Sequence, residues 1–169
     1  IRTGDKKGIA SWFVDLKEQS VRWRTVGTDY HIRPVRLIDK KNISLRQSKK
    51  NLAVSDAQSM PHIFVRRNIK NGLDGYSKIN HDYKKDSKSS GKVIIDHTTG
   101  LMWHQSGSRE YMNIDEAKKW LDDLNSKNYF GHNDWRLPTV DEAASLLEEN
   151  KNKHGLYISP MFNKKQKWI

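Results

Sequence analysis

Residues 131–142, GHNDWRLPTVDE, fix a helix start more firmly than any other stretch of the chain. Thr139 and Glu142 stand at capping-box spacing, so the hydroxyl and the carboxylate can each satisfy an amide that the first turn leaves orphaned. The residues ahead of the cap are not explained this way. No local rule demands Asn133, Asp134, Trp135 and Arg136 in that order, so they point to tertiary packing or to function. Asn113 and Glu116 form a second capping pair, followed by Ile114, Ala117, Trp120, Leu121 and Leu124 at helical spacing. The spacing predicts one helix over NIDEAKKWLDDLN and another from Val140 to about Glu149, burying Val140, Ala143, Ala144 and Leu147.

Strand signals lie elsewhere. In SWFVDL, Trp12, Val14 and Leu16 share a face, and in VRWR, Val21 and Trp23 share one face while Arg22 and Arg24 share the other. The polar KEQS between them fits a hairpin connection, and YHIRPVRL reads as a third strand in which Pro34 implies an edge or a bulge. KVIIDHTTGLMWHQ reads as two short strands about a turn at Thr98, Thr99 and Gly100. Residues 39–90 read as a basic, polar linker with NG, DG and SSG turn signals, holding at most a short helix that Ser55 and Gln58 cap and Pro61 stops. Strands mixed with two helices give an α+β fold.

Only 35% of the 169 residues are hydrophobic, so the core is modest, yet six tryptophans argue against wholesale disorder. No run approaches the roughly 18 apolar residues of a membrane span. The start at Ile1 and the stop at Trp168-Ile169 are read as the ends of an excised piece, so a missing leader says little about localisation. The absence of cysteine excludes disulfides, thiolate metal sites and cysteine-dependent catalysis. The net charge is +11, and all of the excess lies in residues 1–90, with 20 basic against 9 acidic side chains, whereas residues 91–169 carry 11 of each. Such an imbalance points to an acidic partner.

The string TGLMW at residues 99–103, the helix around Trp120, DWRLPT at residues 134–139, and the following helix through Leu146, Leu147 and Glu148 together resemble the Lcl C-terminal domain family. The resemblance covers roughly residues 96–169. It implies a bacterial C-type-lectin-like module, two helices packed on small antiparallel sheets, related in fold to formylglycine-generating and sulfatase-modifying factors. It also implies that Trp135 and Leu137 are buried anchors beneath the second helix and that Arg136 pairs with a carboxylate or a loop carbonyl. In the family, strands that SWFVDL and YHIRPVRL resemble should follow the helices. Here they precede them. The chain is therefore expected to run as the end of one unit (1–38), a linker (39–90) and the start of the next (91–169), a piece of a tandem array in permuted register. The two ends would close on each other or exchange strands between chains.

No catalytic constellation is expected. Nucleophile elbows and phosphate-binding loops are missing, and the seven histidines lack metal-ligand spacing and read as surface or loop residues. Asn133 and Asp134 have some of the chemistry of a calcium site, but six to eight oxygen ligands are needed and no loop supplies them, so no metal and no cofactor is expected. The most suggestive surface is VRWRTVGTDYHIR, where Arg22, Trp23, Arg24, Tyr30 and Arg33 form a candidate ligand set, because guanidiniums beside aromatics suit sulfate, carboxylate or phosphate groups. The alternative reading is that Arg33 and Arg36 support the fold while Arg22 and Arg24 are simply solvated, since exposed arginines are common. The expected function is a non-enzymatic binding or adhesion module for an anionic polysaccharide or a protein ligand, at a cell surface or secreted. A structural or protein-interaction repeat is the alternative. Nucleic-acid binding by the basic linker ranks third, since that stretch offers only Phe64, Tyr76 and Tyr83 for stacking.

Overall fold

The computed structural model describes residues 10–25, 29–41, 43, 45–48, 52–162 and 166–169. Among the described residues, eight strands form two four-stranded antiparallel sheets. The first sheet joins β1 (Ala10–Asp15), β2 (Ser20–Thr25), β4 (Ile63–Ile69) and β5 (Gly72–Ser77) in the order β1-β2-β5-β4. The second joins β3 (Val35–Leu37), β6 (Tyr83–Lys88), β7 (Gly91–Asp96) and β8 (Leu101–His104) in the order β3-β8-β7-β6. Three helices complete the α+β fold: α1 (Val54–Gln58), α2 (Ile114–Ser126) and α3 (Val140–Ser145). Among the described residues, no helix is long and apolar enough to cross a membrane.

The reading of residues 39–90 as a linker is corrected. That stretch holds α1 and three strands, including half of the first sheet. The NG signal at Asn71-Gly72 is a tight hairpin turn between β4 and β5, with Asn71 in the left-handed region at φ 61°. Gly72 is required at that turn because a Cβ there would overlap the backbone of Val21 on β2. Edge strand β4 has no clean alternation in the sequence: Arg66 is the extra residue of a bulge between Val65 and Arg67, and Phe64 is exposed. The short helix is present, but it begins at Val54, ahead of Ser55, with the Asp56 carboxylate accepting from the Ala53 amide at 3.0 Å.

The described residues of β1, β2 and β3 close onto those of β8, α3 and the segment after it. Val14, Leu16 and Val21 from the hairpin share one buried cluster with Trp103 of β8 and with Ala143, Ala144, Leu146 and Leu147 at and after α3. Val35 and Leu37 pair with Trp103 and Leu101, so β3 forms an edge of the second sheet, where Pro34 has no ladder bond to lose. The exposed side of β1 is covered in turn: the amides of Val14 and Leu16 donate to the carbonyls of Ile169 and Lys167, each at 2.7 Å. β1 and residues 167–169 are thus hydrogen-bonded into one body, which covers a free strand edge.

Both expected helix caps form. Asn113 Oδ1 accepts from the amides of Asp115 and Glu116, and Thr139 Oγ1 accepts from the amide of Glu142 at 3.3 Å. α3 is shorter than expected and stops at Ser145, because the amides of Leu146 and Leu147 turn back three residues to Ala143 and Ala144 and send both leucines into the core. The packing of Trp135 also differs from expectation. It lies against α2 rather than beneath α3, in a second cluster with Val93, Met102, Leu121, Leu124 and Phe130. We expect Trp135→Ala to cost roughly 3–5 kcal/mol in urea unfolding, as for other buried aromatics, whereas Arg22→Ala should stay within about 0.5 kcal/mol.

Candidate functional site

The DWRLPT segment is occupied by structural work. Asp134 accepts a two-pronged pair from Arg36 on β3, Nε to Oδ1 at 2.6 Å and Nη2 to Oδ2 at 3.2 Å. Trp135 exchanges hydrogen bonds with Asn125 of α2 and donates from Nε1 to the Tyr129 carbonyl at 2.9 Å. Arg136 donates to both carboxylate oxygens of the fully buried Glu142, at 2.8 and 2.7 Å. Arg136 therefore has the carboxylate partner expected of it. Among the described residues, no group of three or more histidines and carboxylates is arranged to hold a metal.

The five predicted ligand residues separate into three groups. Arg22 and Arg24 stay together on the outer face of the first sheet, opposite Phe13 and Ser11 of β1. Arg24 lies over the Phe13 ring at 5.4 Å, Phe13 stacks on Tyr30 at 5.0 Å, and Arg22 Nε donates to Ser20 Oγ at 2.8 Å. Trp23 points the other way. It pairs with Trp12 on the face that carries Val14 and Val21, because successive residues of a strand alternate sides. Arg33 is corrected as well: it is fully buried and donates from Nη1 to the carbonyls of His104 and Gln105, so it belongs to the interior and not to an open surface.

Arg66 and Arg67 join the outer face, where no sequence pattern places them. Both reach Asp74, which pairs with Ser20 on the same face as Arg22 and Arg24. Arg22 and Arg24 share this face without a carboxylate partner among the described residues, while Arg66 also lies over the ring of Tyr76, whose hydroxyl donates to Glu149. Asp15 of β1 is buried and caps the amides of Lys17 and Glu18 at 3.0 Å. Beyond β1 the same face continues into aromatics, because Trp168 pairs with Asp15, Tyr111 lies 6.1 Å from Trp168, and His31 lies 4.3 Å from Tyr111. Tyr111 is 46% exposed. Composition signalled the charge. Only the β4–β5 pairing brought it to one face. Of the residues weighed for nucleic-acid stacking, Phe64 and Tyr76 meet at 5.3 Å near the surface, but the Tyr83 hydroxyl is buried.

The histidines are not all surface residues. His81 bridges the Asp96 carboxylate at 2.7 Å and the Ser145 carbonyl at 2.8 Å. Burial alone would raise the Asp96 pKa, but hydrogen bonds from His81, Thr99 and the Thr98 amide outweigh it and hold it below the usual range. His104 is packed among Trp120, Tyr129 and Trp135, and its Nδ1 accepts from the Gly107 amide at 2.9 Å. Burial, with the Arg33 charge adding to it, lowers its pKa to about 4. No motif marks these positions, since neither histidine has a partner at a diagnostic sequence spacing.

Residues 92–168 match the Lcl C-terminal domain. The match takes in nearly all of β7, β8, α2, α3 and the segment that returns to β1, and it leaves the first sheet outside. No curated protein and no solved structure matches the chain. Within the Lcl span, a neutral His104 is a condition of the fold. Its folded pKa lies below the ordinary 6.5, so its contribution is complete above pH 6.5 and is lost as the pH falls through about 4. The full shift corresponds to a loss on the order of 3 kcal/mol. Urea unfolding from pH 7 to 4 should show this decline, and His104→Asn should flatten it. His31 is lowered in the same sense, chiefly by burial, and keeps a residual slope.

Proposed function

We infer that the chain is a non-enzymatic binding module of the C-type-lectin-like kind that the Lcl resemblance implies, and that its ligand is an anionic polymer such as a sulfated glycan. One observation carries this reading: Arg22, Arg24, Arg66 and Arg67 gather on one face of the first sheet, where the described acids beside them are the largely buried Asp74, which pairs with Arg66 and Arg67, and Glu149, which accepts from the Tyr76 hydroxyl. Guanidinium forks suit the paired oxygens of sulfate and carboxylate. The adjoining strip of Tyr30, Tyr111 and Trp168 offers rings against which a flat sugar face can pack. A cell-surface or secreted setting, where such polymers are met, accords with this reading. A protein-interaction repeat is the second reading, favoured by Phe64, which stands 44% exposed on edge strand β4.

Charge alone makes any basic protein adhere to a polyanion at low salt, and exposed charges are screened beyond about 8 Å at physiological ionic strength. The informative comparison is retention on immobilised heparin against DNA of matched charge density near physiological salt, without calcium. The parent chain should be retained on heparin more strongly than on DNA, and Arg22→Ala/Arg24→Ala should lose most of that difference. Neutralising Lys40, Lys41, Lys49 and Lys50 should weaken both columns about equally; of these, Lys49 and Lys50 lie outside the described residues. Equal retention of the parent on the two columns would overturn the glycan reading, and loss confined to the lysine variant would reduce the activity to unspecific charge.

A further inference from the structure

Arg33 enters the interior just ahead of β3 and is completely buried. Its Nη1 donates to the carbonyls of His104 at 3.2 Å and Gln105 at 2.5 Å, and its guanidinium lies 4.9 Å over the ring of Phe162. Its Nε and Nη2 have no acceptor, and no carboxylate among the described residues pairs with it. A buried guanidinium is normally matched by a negative charge, because desolvating an unpaired ion costs several kcal/mol even after relaxation. The uncompensated charge is felt nearby. After burial itself, Arg33 is a further cause of the lowered pKa of both His104 and His31.

Two more buried donors without partners stand on the same side of the second sheet. They are Trp103 Nε1 and the Tyr83 hydroxyl. Val35, two residues beyond Arg33, pairs with Trp103, and Trp103 pairs with Ile94 of β7, whose other neighbour is the strand carrying Tyr83. Trp103 therefore lies between Arg33 and Tyr83 across the sheet. Phe162 links Arg33 to Tyr83, with Tyr83 meeting its ring edge-on at 5.4 Å while Arg33 lies over its face, and it shares a buried cluster with Trp103. Guanidinium and indole N–H groups can only donate, and the phenol can donate too. The Gln166 amide donates to the carbonyls of Ile32 and Ser108 and does not supply the missing acceptor.

We propose that Arg33, Trp103 and Tyr83 hold a small inorganic anion of the size of chloride inside the fold. Charge separates an anion from a water molecule here, because water would accept the hydrogen bonds but leave the guanidinium uncompensated. Size separates it from sulfate or a sugar acid, since Arg33 and Trp103 are both fully buried and present no opening for a polyatomic ligand. The site is distinct from the arginine face, which lies on the outer side of the other sheet. Its occupant is a part of the structure and not a cargo.

The test is thermal unfolding at constant ionic strength, with sodium chloride progressively replaced by sodium gluconate. Above saturation of the site, each tenfold rise in chloride should raise the midpoint by about 3–5 °C. Anions on the basic surface could also produce a chloride dependence, so the same titration is made with Arg33→Met and Tyr83→Phe. Both should lose or strongly reduce the dependence. Crystals grown in sodium bromide should show an anomalous peak within hydrogen-bonding distance of Arg33 Nε and Nη2. If Arg33→Met fails to fold, Tyr83→Phe and the bromide crystal still decide. Equal midpoints in chloride and gluconate, an undiminished dependence in Tyr83→Phe, or density at Arg33 without anomalous signal would each overturn the proposal.

Discussion

The carboxylate of Glu142 is the point on which the two halves of the chain depend. It is fully buried, and three donors meet it: both terminal nitrogens of Arg136 and the amide of Thr139. The backbone of Arg136 in turn pairs with Val35 in both directions at 3.0 Å, and Thr139 Oγ1 donates to the Arg46 carbonyl at 2.6 Å. One side chain therefore caps α3, fixes the residues before it and positions them against segments nearly a hundred residues upstream. A buried carboxylate survives only with such saturation, since an unpaired one would cost more than the helix cap contributes.

A second buried acid does comparable work between sheet and helix. Asp96 ends β7, accepts from His81, Thr99 and the Thr98 amide, and through His81 is tied to the Ser145 carbonyl at the end of α3. With only 35% hydrophobic residues, the chain leans on these saturated polar junctions to specify how its two apolar clusters meet. Arg33 is the exception, a buried charge whose saturation is incomplete among the protein's described groups, and this is why it directs attention to an inorganic partner.

Local sequence carried the elements whose stabilising partners are near in the chain. The caps at Asn113 and Thr139, the 98–100 turn and the alternation in β1 and β2 all rest on contacts within a few residues, and each is where the residues imply. The candidate face was half legible. Arg22 and Arg24 share a side through strand periodicity alone, but Trp23 alternates away from them and Arg33 turns inward through carbonyls seventy residues distant. Arg66 and Arg67 are not legible in the sequence because a bulged edge strand has no clean alternation, and their place beside Arg22 depends on the pairing of β5 with β2.

The sequence by itself determined the α+β class, the two capped helices, the absence of cysteine chemistry and the concentration of positive charge in residues 1–90. These follow from composition and from interactions of short range. The tertiary structure alone decided that residues 39–90 complete the first sheet, that Trp135 packs on α2, and which arginines are buried and which face outward. The physical reason is that burial belongs to pairs of surfaces. A strand face or a guanidinium becomes interior only when a distant segment covers it, and the identity of that segment is not encoded in its neighbours along the chain.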